Sequence, residues 1–92
     1  MKLVKVWNED RYINCNYIIN VNIETVFQKT DGGNYKIIIL YGISDNSVKS
    51  DVVYTAEDLK SCAFAVKWLA SYKCDGIIDL QNMDKLKKRL NE

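Results

Sequence analysis

From residue 17 the chain alternates apolar and polar positions with a period of two, the spacing of a strand with one dry and one wet face. Ile19, Val21 and Ile23 point one way, and Asn20, Asn22 and Glu24 the other. Thr25-Val26-Phe27 extends this strand toward Asp31-Gly32-Gly33-Asn34, whose glycines supply the positive φ angles of a tight hairpin turn. The next strand, residues 35–41, sets Tyr35, Ile37, Ile39 and Tyr41 on one face and Ile38 and Leu40 on the other. Apolar residues on both faces predict a central strand that needs cover on each side. Upstream, residues 2–7 and Arg11-Tyr12-Ile13 flank the turn-forming cluster Asn8-Glu9-Asp10, which predicts a first hairpin. Residues 42–51 read as a polar loop, and Val52-Val53-Tyr54 as a short last strand.

The period then lengthens to that of a helix. Thr55 ahead of Ala56-Glu57-Asp58 predicts a helix start in which the Thr55 hydroxyl accepts from the first free amides. The helix is expected to run to about Lys73 and to stop at Cys74-Asp75-Gly76. Ile77-Ile78-Asp79-Leu80 is an apolar connector or an added strand, and Asn82 caps a short helix with Met83, Leu86 and Leu90 on one stripe. The expected fold is α+β, an antiparallel β-meander of about five short strands packed by one long helix, plus a short C-terminal helix. At 92 residues the chain makes one domain, residues 1–92. A domain of this size has a thin stability margin, which gives association a physical motive.

Thirteen basic and twelve acidic residues leave a net charge of +1, too small a field to draw the chain onto nucleic acid or an anionic membrane. The longest apolar run, residues 37–41, is far shorter than a membrane-spanning helix, and the first residues read as a strand rather than an export signal. These features predict a soluble, cytoplasmic protein. The lack of proline, with abundant Ile, Asn, Lys and Tyr, resembles the coding bias of AT-rich genomes, including phages of low-GC bacteria.

Catalytic chemistry finds little to build on. Histidine is absent, which removes the commonest general base and transition-metal ligand. Cys15, Cys62 and Cys74 share no C-x-x-C spacing, so neither a zinc knuckle nor a disulfide framework is expected. The acid pairs Asp75/Asp79 and Asp45/Asp51 lack the spacing of a calcium loop and read as turn and helix-end residues. No phosphate-binding glycine loop is present. No enzyme activity, cofactor or metal is expected.

Two surfaces stand out as candidates. On the long helix, Leu59, Cys62, Ala63, Val66, Leu69 and Ala70 form the arc expected to cover the sheet. Phe64, Trp68 and Tyr72, four residues apart, form a second stripe among polar residues. Either the chain from Ile77 onward folds over that stripe, or a partner does. Ile38 and Leu40 on the central strand raise the same question. The expected function is therefore a non-enzymatic interaction or regulatory module that self-associates, as a homodimer, and binds another protein through Phe64, Trp68, Tyr72, Ile38 and Leu40. The alternative is a single-stranded nucleic-acid-binding domain. Its sheet face would stack bases and neutralise phosphates with Tyr12, Tyr17, Tyr35, Tyr41, Lys5 and Lys36, and Lys85, Lys87, Lys88 and Arg89 near the C-terminus would add a separate positive patch.

Overall fold

A computed structural model describes residues 1–30, 33–44, 46–71 and 75–90, with the side chains of residues 27–30, 33 and 86–90 left outside that description. The chain order is β1 (Lys2–Lys5), β2 (Tyr12–Asn14), a 3-10 turn (Cys15–Tyr17), β3 (Ile18–Thr30), β4 (Gly33–Ser44), β5 (Ser47–Ala56), α1 (Leu59–Ser71), β6 (Gly76–Ile78) and α2 (Leu80–Leu90). The α+β architecture expected from the pattern is present, and the meander is β3-β4-β5.

The meander differs in extent from the sequence reading. Its strands span 13, 12 and 10 residues, and residues 42–44 and 47–51 continue β4 and β5 instead of forming a loop. Ser44 pairs with Ser47, and Asn46 takes the left-handed conformation, φ 69°, that asparagine tolerates in tight turns. This stretch is polar because the hairpin runs past the edge of the core, not because it lacks ladder bonds. Thr30 pairs with Gly33 in the β3-β4 hairpin, while the turn expected there falls on residues 31 and 32, outside the described residues.

The first hairpin also forms, but in a separate three-stranded sheet of order β2-β1-β6. The apolar segment after α1 supplies β6, which runs parallel to β1 and pairs Val4 with Ile78. The Trp7 amide donates to the Val52 carbonyl at 2.8 Å, joining the end of β1 to β5.

Both helix caps lie three residues from the expected positions. Thr55 belongs to β5, and the Asp58 carboxylate accepts the Ser61 amide at 2.7 Å as the cap of α1. Asp79, not Asn82, caps α2, with its carboxylate accepting the Asn82 amide at 3.2 Å. The core draws Val4 and Ile13 from the small sheet, Val6 from just past β1, and Ile37, Ile39, Val53 and Tyr54 from the meander. Ile78 and Leu80 close it from the C-terminal side, and Cys62, Ala65 and Leu69 come from α1. The expected arc on α1 is thus rotated: Leu59, Ala63 and Ala70 are exposed, whereas Ala65 is fully buried. Small Cys62 and Ala65 let the helix approach the large buried Tyr54, and α2 packs beside α1, so the dry face serves two neighbours.

Candidate interaction surface

Cross-strand pairs sort the meander into two faces, because directly paired residues project to the same side. Ile37 pairs with Tyr54 and Ile39 with Val21 and Asp51, so these line the core side. On the other side Leu40 pairs with Asn20, and Ile38 pairs with Asn22 and Val52. Glu24 pairs with Lys36 on that same face. Ile38, Leu40, Val52 and Lys36 are half-buried, Asn20, Asn22 and Glu24 are exposed, and none of the seven belongs to the core. Ile38 and Leu40 therefore form the centre of an apolar strip with polar neighbours.

The far end of the same sheet carries a hollow of about 530 Å³ between the 3-10 turn and the β4-β5 hairpin. Four large apolar side chains line it, Tyr17, Ile19, Ile43 and Val48, at 60%, 59%, 55% and 56% exposure. Ile19 sits at a register break between Ile18 and Asn20, which explains why strict alternation from Val21 placed it on the dry face although it is exposed.

The helix stripe is less available than its spacing suggests. Trp68 packs against the core, Phe64 is half-buried beneath the Lys67 ammonium, 5.9 Å from the ring centre, and Tyr72 lies outside the described residues. The signal that separates the two surfaces is β-bulge and hairpin geometry, which periodicity alone does not carry.

The residues of the nucleic-acid alternative do not share one face. Lys5 pairs with Tyr12 on the small sheet, and Lys5 and Lys85 line one hollow together with Asp79. The Tyr12 hydroxyl donates to the Asp10 carboxylate at 2.8 Å, and this bond raises the phenol pKa. Tyr17 belongs to the distant apolar hollow, Lys36 to the outer face of the meander opposite Glu24, and the side chains of Lys88 and Arg89 lie outside the described residues.

The polar groups that are brought together hold the two sheets in place. Arg11 donates to both carboxylate oxygens of Asp51, at 2.9 and 3.4 Å, and to Glu9. The Tyr41 hydroxyl donates to Asp51 at 2.7 Å. Burial opposes ionisation of Asp51, but the Arg11 and Tyr41 hydrogen bonds outweigh it and hold the carboxyl below its ordinary value. Burial, with the charges of Asp58 and Asp84, pushes the Cys62 thiol up to about 11, which makes it a poor nucleophile at neutral pH. Burial likewise raises the Cys15 thiol. Asp75, one of the acids considered for a cation, pairs with the Met1 amino group at 2.8 Å. Among the described residues there is no group of three or more Cys, Asp or Glu side chains able to hold a metal ion. No helix among them is long and apolar enough to cross a membrane.

Comparison with family models, with curated proteins and with solved structures returns no match for this chain.

Proposed function

We propose that this chain is a non-enzymatic interaction module that self-associates and binds a second protein through the meander sheet. The observation that carries this reading is the placement of exposed apolar surface. Tyr17, Ile19, Ile43 and Val48 are all exposed and line one hollow at the end of the meander, while Ile38 and Leu40 are half-buried on its outer face. Apolar groups gathered in this way favour protein contact, whereas isolated exposed ones carry no such meaning. The helix stripe contributes less, because Trp68 already packs on the core. The unpaired thiols of Cys15 and Cys62 suit a reducing compartment such as the cytoplasm.

Amide chemical shifts followed from low to high micromolar concentration test this reading. Changes confined to β3, the β4-β5 hairpin and the Ile38–Leu40 strip support it. Changes centred on Phe64 and Trp68, or none at any concentration, count against it.

A further inference from the structure

The two edges of the meander are finished differently. Along β5, the Trp7 amide takes the Val52 carbonyl, and the Gln81 carboxamide copies a neighbouring strand. Its oxygen accepts the Thr55 amide at 3.1 Å and its nitrogen donates to the Thr55 carbonyl at 3.2 Å. The other edge is β3, 13 residues long and paired within the sheet to β4 alone. The usual protections of an edge are proline, lysine and inward-pointing charge. Between residues 18 and 26 β3 has no proline and no lysine, and its one charge, Glu24, is on the outer face.

The direction of its amides that do not pair with β4 can be worked out. The Val21 amide donates to the side-chain oxygen of its neighbour Asn20 at 3.0 Å, so it points away from β4. By the two-residue alternation of an antiparallel ladder, the Ile23 and Thr25 amides also point outward. Register with β4 is unbroken from residue 20 to residue 25, so this stretch is a regular template.

We infer that β3 is the self-association edge of this protein, pairing antiparallel with β3 of a second copy across a two-fold axis at Asn22 to make one continuous six-stranded sheet. This assignment rests on the self-associating reading above and names its geometry. With the axis at Asn22, the outward-facing Val21 of one copy meets Ile23 of the other on the core side, and Asn22 meets Asn22 on the outer side. Glu24 faces Asn20, so no like charges oppose one another, and a net charge of +1 leaves little repulsion between copies. The apolar pairs extend the row of Val21, which already borders a groove of about 320 Å³ between β3 and α1 lined by Val66 and Ala70. A second copy is favoured over an unrelated peptide because the pattern is complementary to itself under the symmetry that closes a dimer.

In this register Asn22 faces its mate as a non-hydrogen-bonded pair, whose Cα atoms lie about 4.5 Å apart, within the range a disulfide spans, roughly 4.4 to 6.8 Å. Asn22→Cys is oxidised at about 10 µM beside Lys60→Cys, an exposed control on α1, and the unsubstituted chain. The expected result is a covalent dimer severalfold more abundant with Asn22→Cys than with either control. Two further changes, each made in the Asn22→Cys or unsubstituted chain, separate pairing from folding. Ile23→Pro removes an outward amide and not a β4 ladder bond, and should return cross-linking to background with circular dichroism intact. Asn22→Lys sets two ammonium groups at the axis and should leave the chain monomeric and folded. Cross-linking of Asn22→Cys no greater than that of Lys60→Cys overturns the assignment. If the unsubstituted chain still sediments as a dimer in that case, only the β3 edge is refuted; if it is monomeric, the broader reading falls with it.

Discussion

Replacing Gln81 with alanine removes two hydrogen bonds at once and leaves both backbone groups of buried Thr55 without their partner. Each side chain-to-backbone bond is worth about 1 kcal/mol net, and exposing neither Thr55 group to water adds a desolvation cost, so the loss should be about 2–3 kcal/mol. With a urea slope of roughly 1 kcal/mol/M, at the low end for small domains, the unfolding midpoint should fall by about 2–3 M. Gln81→Glu is the sharper probe. Its carboxylate keeps an acceptor for the Thr55 amide but sets a second oxygen against the Thr55 carbonyl, a pairing without a proton. Protonation restores the donor, so the deficit of this variant relative to the unsubstituted chain should shrink as pH falls below about 5. Urea titrations at neutral and acidic pH read both effects. A Gln81→Ala midpoint shift below about 0.5 M would refute the claim that this carboxamide closes the β5 edge, and with it the contrast with β3.

Other outcomes follow from the same geometry. The Thr55 hydroxyl is buried with no partner among the described residues, so Thr55→Val should raise stability by about 1 kcal/mol in the same titration. Asp51 has a lowered folded-state pKa, so its contribution is full above the ordinary carboxylate value of 3.8 and is lost as pH falls through the lower folded value; Asp51→Asn should flatten the acid limb of a stability-pH curve. The Cys62 thiol has the opposite sign: its contribution is full below its ordinary value of 9.0 and is lost as pH rises through about 11, and a thiol reagent at pH 8 should label Cys62 only at the rate of unfolding. Because Trp68 packs on the core, Trp68→Ala should lower unfolding free energy by about 2 kcal/mol or more while leaving the monomer-dimer midpoint of the folded chain nearly unchanged.

Much of the fold was legible because periodicity reports which faces are dry. The β3 and β4 alternation, the Asn8-Glu9-Asp10 turn and the two helices all follow from it. What periodicity misses is where a ladder continues after its side chains become polar, as in residues 42–44 and 47–51, and which of two nearby cap residues a strand has already claimed, as with Thr55. Partition into two sheets was also hidden, since the parallel β1-β6 pair joins segments from opposite ends of the chain. The candidate surface was half legible: Ile38 and Leu40 fall where expected, but the exposed cluster of Tyr17, Ile19, Ile43 and Val48 depends on a bulge and a long hairpin. Spacing alone left open whether the chain from Ile77 onward or a partner covers the Phe64, Trp68 and Tyr72 stripe; Trp68 packs on the core and α2 lies against α1, while Tyr72 is outside the described residues.

Self-association is the claim on which the functional account stands, and sedimentation equilibrium of the unsubstituted chain between about 1 and 200 µM measures it directly. The account predicts a weight-average mass that climbs from the monomer value of 10.6 kDa toward twice that value, at low and at moderate salt alike. A mass that stays at 10.6 kDa across the whole range would contradict it.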